Sequence, residues 1–102
     1  MAQFDVHRNP RAGLYPLVVD VQADLLSSLT TRVVVPLVPR KRYSGKPPTK
    51  LTLMATLRGV EYVLVVPELA AIPQSALGEV VGSLAARRGD LVAALDLLLT
   101  GS

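Results

Sequence analysis

The chain contains few side chains of the kinds that carry out catalysis. Its only histidine is His7, which is followed closely by Arg8 and Arg11. A histidine beside an arginine and an acid has the groups needed to cleave RNA by general acid–base catalysis. The sequence has no G-x-S-x-G elbow, no zinc-binding or EF-hand spacing and no glycine-rich phosphate loop. We therefore interpret His7 as an ordinary strand-end residue and the chain as a small binding protein.

The densest cluster of charge lies in residues 39–50, PRKRYSGKPPTK. This stretch holds five basic residues and three prolines: Arg40, Lys41, Arg42, Lys46 and Lys50. It has two interpretations, a basic lip that receives an acidic partner or a solvated loop. Composition alone favours the solvated loop.

Composition limits the possible classes of protein. The 102 residues are half hydrophobic, which predicts one folded domain spanning residues 1–102. Cysteine is absent, so the chain offers no disulfide, thiol nucleophile or cysteine-based metal site, and we expect no cofactor. The net charge of +3 is a mild basic excess. No leader sequence and no apolar run of ~20 residues is visible, so we expect a cytoplasmic protein.

Most of the chain has the pattern of short strands and turns. Alternating or valine-rich runs predict about five antiparallel strands, and Arg58-Gly59 is the turn signal of a hairpin. Residues 67–73 are expected to close the sheet, and residues 74–83 to form a linker. The predicted strands are Gln3–His7, Leu14–Gln22, Arg32–Val38, Leu51–Leu57 and Glu61–Val66.

The last stretch, Leu84–Ser102, is the only long run with helical spacing. Its leucines recur every three or four residues, with Arg87 on the other side, so the helix should supply an apolar face for the sheet. Either Ser83 or Asp90 is expected to be its N-cap. The fold class predicted is therefore mainly β (α+β), a small antiparallel sheet that curls into a barrel-like shape with a C-terminal helix.

Several segments together resemble the CcdB family of toxins. The resemblance covers nearly the whole chain, and its most specific part is the stretch V-D-V-Q-x-D from Val19 to Asp24. The other matching positions are Gln3, Phe4, Val6, Tyr15, Leu17, Arg32, Val33, Val34, Pro36, Leu37, Pro73, Leu77, Gly78, Glu79, Leu84, Arg87, Asp90, Ala94, Leu97 and Gly101.

The resemblance implies a fold and a mode of action. CcdB-like proteins have an SH3-like barrel followed by a C-terminal helix, and they form homodimers. They are toxins of type II toxin–antitoxin modules, and the acidic C-terminal segment of the antitoxin neutralises them. Toxin and antitoxin together repress their operon at its operator DNA. The toxin traps the A subunit of DNA gyrase on cleaved DNA by binding alone, which implies no enzymatic activity.

The resemblance also assigns roles to residues. The family contacts gyrase with a terminal Trp-Gly-Ile, which places the target contact at Leu99, Thr100, Gly101 and Ser102. Only Gly101 matches, because Thr100 and Ser102 stand at the tryptophan and isoleucine positions. The dimer contact falls on Leu95, Leu98 and Leu99. Antitoxin contacts are expected at Arg11, Tyr15, Arg40, Lys41, Arg42 and Arg87.

Two alternatives stay open on the sequence. The chain is either a relative that binds an antitoxin but has lost or changed its target, or a ribonuclease similar to the Kid and MazF toxins of the same superfamily. In the first case, the loop from Arg40 to Lys50 remains the partner surface. The candidates for RNA cleavage are His7, Arg8, Arg11 and the Arg40–Arg42 loop.

Overall fold

The computed structural model describes residues 2–10, 15–44 and 51–101. In these ranges the chain forms seven strands and one α-helix, α1, over Arg88–Thr100. Five short 3-10 turns lie between them, at Asp24–Leu26, Arg40–Arg42, Val66–Glu68, Gln74–Ala76 and Ala85–Arg87. The strands are β1 (Asp5–Arg8), β2 (Leu17–Asp20), β3 (Thr31–Pro39), β4 (Thr52–Leu57), β5 (Val60–Val65), β6 (Ala70–Pro73) and β7 (Val80–Ser83).

All strand pairs are antiparallel, and the sheet is organised around β3. The order is β4-β5-β3-β2-β1-β7, with β6 also paired to β3. Leu37 pairs with both β2 and β5, and Val34 with both β2 and β6. Consequently β5 and β6 share one side of β3, each along half of its length. Because one long strand changes partners, the sheet curls, and the predicted fold class is confirmed.

Two strands lie where none was predicted. β6 falls in the segment expected to close the sheet, and β7 in the segment expected to be a linker. β7 is short and contains Gly82, and its pairing to β1 is irregular between Val6 and His7. Its four residues, VVGS, do not alternate between apolar and polar, so no pattern marks them as a strand. Its partner β1 is more than 70 residues away in the chain, so the pairing cannot be read locally either.

The core lies between the curled sheet and α1. Buried side chains of the strands include Val6, Val19, Val35, Leu37 and Leu64, all at most 1% exposed. From the C-terminal segment, Leu84, Leu91 and Ala94 complete this cluster. The expectation that the helix supplies an apolar face for the sheet is therefore confirmed.

The helix begins between the two positions that the sequence predicted. Neither Ser83 nor Asp90 is its N-cap, because α1 starts at Arg88 and no side chain caps it. Ser83 Oγ instead accepts a hydrogen bond from Ala85 N–H at 3.1 Å and supports the preceding 3-10 turn. At the other end, Gly101 is left-handed (φ 75°), and its N–H bonds Leu97 O at 3.0 Å. Glycine adopts this conformation without steric cost.

No helix in the described ranges is long enough to span a membrane. The 13 residues of α1 are too few to cross a lipid bilayer, and no other described segment is a longer helix.

Candidate functional site

The most specific part of the family resemblance forms a buried polar network. Asp20 and Arg32 have side chains that are fully inaccessible to solvent. Arg32 Nε and Nη2 contact Asp20 Oδ2 at 2.8 and 2.6 Å, and Nη2 also donates to the carbonyl of Gln22 at 3.3 Å. Removing a charge from water is costly unless it is paired and hydrogen-bonded. The pair therefore belongs to the folded framework.

The remaining polar residues of that stretch tie loops to the sheet. Gln22 Oε1 accepts from Val33 N–H at 3.1 Å, and its Nε2 donates to Leu26 O at 3.1 Å. Asp24 Oδ1 accepts from Gln3 N–H at 2.7 Å. Each polar side chain from Asp20 to Asp24 thus has an internal structural partner. This stretch therefore stabilises the fold through internal contacts.

The end of α1 is the predicted target contact. Leu99 is 71% exposed there, although it is a large apolar side chain. Thr100 Oγ1 donates to Asp96 O at 2.6 Å, which directs its hydroxyl back onto the helix. Gly101 forms the helix cap, and Ser102 lies outside the described residues. Leu99 is therefore the exposed large apolar side chain at the end of α1, and its role as a target contact stays a prediction.

The leucines assigned to the dimer divide into two kinds. Leu95 and Leu98 are partly buried against the core of their own chain. Leu99 points away from that core and is exposed. A homodimer through this helix therefore stays a prediction, in which Leu99 is the residue most available to a second copy.

Tyr15, one of the residues predicted to contact an antitoxin, is hydrogen-bonded to a carboxylate. Its hydroxyl donates to Glu68 Oε2 at 2.6 Å. This hydrogen bond, with burial and the nearby carboxylate charge, raises the pKa of Tyr15 to about 12. Tyr15 and Tyr43 pack on the same small cluster of Val38, Val63 and Val65. The tertiary structure thus brings Tyr15 near the turn that carries Arg40–Arg42.

Arg87, a second residue predicted to contact an antitoxin, is engaged within the fold. Arg87 Nε donates to Asp90 Oδ2 at 2.9 Å, and its Nη1 donates to the backbone oxygen of Met54 in β4. Its guanidinium therefore helps to fix the start of α1 to the sheet. Arg11 lies outside the described residues.

The Arg40–Arg42 turn borders an open notch. Arg40 is partly buried, whereas Lys41 and Arg42 are exposed. A cavity of about 490 Å³ is lined by Arg40 and Lys41 together with residues around the β4–β5 turn. Arg42 does not line it. The basic turn after β3 is thus placed against a second turn, which the sequence did not connect with it.

His7 is buried, and it borders a separate cavity. The side chain is 2% exposed, and Nδ1 lies 3.0 Å from Gly78 O. A carbonyl only accepts, so Nδ1 carries a proton and donates to it. Nε2 is buried and has no partner among the described residues. The cavity of about 720 Å³ is also lined by Thr30, Gln74, Ser75, Leu77, Gly78, Glu79 and Val80.

Sequence reasoning missed two features. The loop before β3 exposes Leu25, Leu26 and Leu29, and Leu25 is 91% accessible. Three leucines in a segment rich in Ser and Thr, without helix or strand periodicity, were the available signal. The second feature is Arg58, which the sequence marked only as part of a turn. No group of three or more His, Asp or Glu side chains within the described ranges converges to hold a metal ion.

Comparisons with known proteins give a family and two structural neighbours. The family model described as CcdB protein matches residues 3–101. An endoribonuclease in complex with its cognate antitoxin, from mycobacterial species, is similar in structure with a TM-score of 0.75 and 15% sequence identity. The similarity covers 97% of this chain and 94% of that chain. An endoribonuclease from mycobacterial species has a TM-score of 0.74 and 16% identity, covering 97% and 90%.

These neighbours correct one expectation drawn from the resemblance. The prediction that the protein is not an enzyme is contradicted, because both neighbours are described as endoribonucleases. At such low identity the likeness establishes a shared fold. That fold carries catalytic proteins, so resemblance to a binding-only poison is no ground for excluding catalysis.

Proposed function

Because the chain belongs to the CcdB family, we propose that it is the toxin component of a type II toxin–antitoxin module. The observation that carries this proposal is the family match across residues 3–101. The Asp20–Arg32 network supports it, since the most specific residues of the resemblance have internal partners in the fold. Inducible expression in bacteria should arrest growth. Normal growth with accumulated folded protein would refute a toxin role.

An antitoxin is the proposed partner. One structural neighbour is an endoribonuclease with its cognate antitoxin, which supports the same kind of partnership here. The net charge of +3 favours an acidic partner segment, because opposite charges speed association and make it salt-dependent. Co-expression with the gene adjacent to this one should restore growth. Repression of the shared operon by the complex, homodimer formation and a cytoplasmic location are parts of the same proposal.

The proposed target contact is the end of α1, with the A subunit of DNA gyrase as the target. Its support is the exposure of Leu99 beside the Gly101 cap, where an apolar side chain stands in solvent. An aromatic anchor is missing at Thr100, and such anchors dominate many interfaces. We therefore expect gyrase binding that is weaker than a tryptophan would give and that rises in the Thr100→Trp variant.

A gyrase cleavage assay tests this target directly. Purified protein is titrated into gyrase and supercoiled DNA, with Thr100→Trp and Leu99→Ser tested in parallel. Stabilised cleavage that increases with Thr100→Trp and falls with Leu99→Ser supports gyrase. Absence of cleavage complexes for both the parent and Thr100→Trp would refute it.

RNA cleavage is the second candidate function. Its support is the fold shared with endoribonucleases, together with the cavity that His7 borders. Nδ1 lies 3.0 Å from Gly78 O, so Nε2, which has no partner among the described residues, is the ring nitrogen that would act as a general base. Because Nε2 is buried, RNA would reach it only after the residues that cover the ring move.

Two assays distinguish RNA from gyrase as the target. Incubation with a mixed RNA transcript should give fragments if the second candidate is right, and a His7→Gln variant should lose them. Asp96→Asn is the control, because Asp96 is exposed on α1 and does not border the His7 cavity. Intact RNA at high protein concentration, with growth arrest maintained, would leave gyrase as the candidate.

A further inference from the structure

The two ends of the sheet approach each other without pairing. β4 and β7 are the terminal strands of the order, and in the described ranges β4 pairs with β5 alone and β7 with β1 alone. They nevertheless lie close together, because a Cβ placed on Gly82 of β7 would lie 3.2 Å from Leu57 Cδ2 of β4. The curled sheet therefore has an open seam, where the apolar interior reaches the surface.

A cavity of about 220 Å³ lies at this seam, and we call it the seam cavity. Its walls include Leu17, Leu57, Tyr62 and Val81, all of which belong to the main hydrophobic core or pack against it. They come from both ends of the sheet. The mouth of a small barrel is a common place for a ligand. The volume holds on the order of ten non-hydrogen atoms, so it suits a small organic molecule.

Two arginines stand at the seam cavity, one from each end of the sheet. Arg8 belongs to β1, and Arg58 to the β4–β5 turn. Arg8 Nε contacts Glu79 Oε1 at 2.5 Å, but both side chains are mostly exposed, so this pair is held weakly. Arg58 forms no ion pair within the described ranges. One positive charge beside the cavity is therefore uncompensated, and no described acidic side chain lines it.

The conformation of Arg58 gives a second reason to assign its side chain to the cavity. Its φ is 50°, and Gly59 follows at 79°. Two-residue hairpin turns of this kind favour Asn-Gly, Asp-Gly or Gly-Gly, because other side chains meet steric cost at positive φ. Strained backbone is often found at ligand sites. Arginine at this position thus contributes a charge to the seam cavity rather than stability to the turn.

We propose that the seam cavity binds a small organic monoanion, namely a carboxylate on an apolar body of about six to eight carbon atoms. The apolar body packs against Leu57, Tyr62 and Val81. The carboxylate accepts hydrogen bonds from Arg8 and Arg58, because a guanidinium presents paired donors that match a carboxylate. This site is separate from the end of α1 and from the His7 cavity, and it does not depend on the toxin role.

Charge and wall chemistry together select this class of ligand. A single uncompensated cation suits a monoanion better than inorganic phosphate or a nucleotide, which carry more negative charge. The walls bury apolar surface but offer few polar groups, so a small hydrophilic anion would gain little beyond the two arginines. Val60, which is 42% exposed, also lines the cavity. A bound molecule would touch both ends of the sheet and so stabilise the folded state.

NMR titration of the isotope-labelled protein with octanoate tests the proposal. Backbone amide shifts should change at Arg8, Leu57 and Val81, with a dissociation constant on the order of 1 mM or lower. The comparison ligands are octylammonium, acetate and inorganic phosphate, each of which should bind at least about tenfold more weakly. Equal binding of octylammonium would remove the role of the arginines. Equal binding of acetate or phosphate would remove the role of the apolar walls.

The position of the shift changes is itself a test. Octanoate can also adsorb to exposed apolar side chains, of which Leu25 and Leu99 are the most accessible. Shift changes at those two residues without changes at the seam would overturn the site. Thermal unfolding is measured in parallel, and octanoate should raise the unfolding temperature. A lowered unfolding temperature would show preferential binding to the unfolded chain and would also overturn it.

Two variants should change the affinity in opposite directions. Arg58→Asn should weaken octanoate binding about tenfold, because it removes a charge-assisted contact. Glu79→Gln should tighten binding, because it frees Arg8 from its competing carboxylate. Both side chains lie on the surface, and thermal unfolding without ligand checks that each variant folds.

Arg40→Gln is the matched control, because Arg40 lines the notch beside the Arg40–Arg42 turn and not the seam cavity. It should leave octanoate affinity within about twofold of the parent. Equal weakening by Arg40→Gln and Arg58→Asn would indicate general charge attraction and overturn the site. Weaker or unchanged binding in Glu79→Gln would contradict the contact with Arg8.

Discussion

Arg32 and Arg58 carry the same guanidinium group, and the fold treats them in opposite ways. Arg32 is fully buried and contacts Asp20 through two of its nitrogens. Arg58 stands at a hairpin turn with positive φ and has no ion-pair partner in the described part of the chain. The first residue is required by the fold, and the second is tolerated by it. That difference separates structural residues from those available for binding.

The leucines of the C-terminal helix show the same contrast. Leu91 is fully buried beneath the sheet, while Leu99, two turns later, is exposed at the helix end. Identical side chains therefore differ in what they contribute to folding. Substituting the buried and the exposed member of each pair therefore tests this contrast most directly.

Arg32→Met should have the largest effect on stability. It leaves the Asp20 carboxylate buried without its partner, and breaking a buried ion pair costs about 3–5 kcal/mol. Urea unfolding measures the loss. The control is Asp20→Asn combined with Arg32→Met, which removes the uncompensated charge and should recover part of the stability. A loss below about 1 kcal/mol for the single variant would contradict the structural role.

Leu91→Ala should come next, with a loss of about 2–5 kcal/mol from the cavity it leaves in the core. Leu99→Ala is the matched control, because it removes the same atoms from solvent-exposed surface and should stay within about 0.5 kcal/mol. Growth arrest should show the reverse sensitivity and fall with Leu99→Ala. Similar unfolding midpoints for the two variants would contradict the difference in burial between Leu91 and Leu99.

Arg58→Asn should stabilise the protein by about 1 kcal/mol, because asparagine tolerates the left-handed conformation better than arginine does. Gly59→Ala at the next position is the control. A Cβ there would meet no atom within 4 Å, so only its φ of +79° opposes it, and we expect a loss. Thermal unfolding measures both. A less stable Arg58→Asn protein would show that Arg58 supports the turn.

The smallest effect concerns Tyr15 and pH. Its raised pKa, from 10.0 to about 12, means that folding favours the protonated phenol that donates to Glu68. The stabilising contribution is therefore present below pH 10 and is lost as the pH rises towards 12. Across this pH range, the free energy of unfolding measured in urea should fall more steeply for the parent than for the Tyr15→Phe variant. Parallel curves for the two proteins would contradict the Tyr15–Glu68 contact.

Local pattern was enough for much of the fold. The hairpin around Arg58-Gly59 and the apolar face of the C-terminal helix were predicted from spacing, and both are present. Strand β7 was not predictable in this way. It is four residues long, and it forms because β1 offers it hydrogen bonds from the far end of the chain.

The candidate sites were harder to predict than the fold. Composition identified Arg40 and Lys41 as basic, but their neighbours across the notch come from the β4–β5 turn. Arg87 looked equally available and instead fixes α1 to β4. Whether a surface arginine is engaged depends on contacts between distant segments, and no local pattern records them.

The sequence by itself determined the mainly β class, the C-terminal helix and the membership in a family. These follow from local periodicity and from residues such as Asp20 and Arg32, whose burial requires a particular set of partners. Only the tertiary structure decided which side chains remain available. It buried Leu91 and left Leu99 exposed, and it placed Arg58 beside Arg40 and Lys41. The physical reason is that burial and pairing are properties of contacts between segments far apart in the chain.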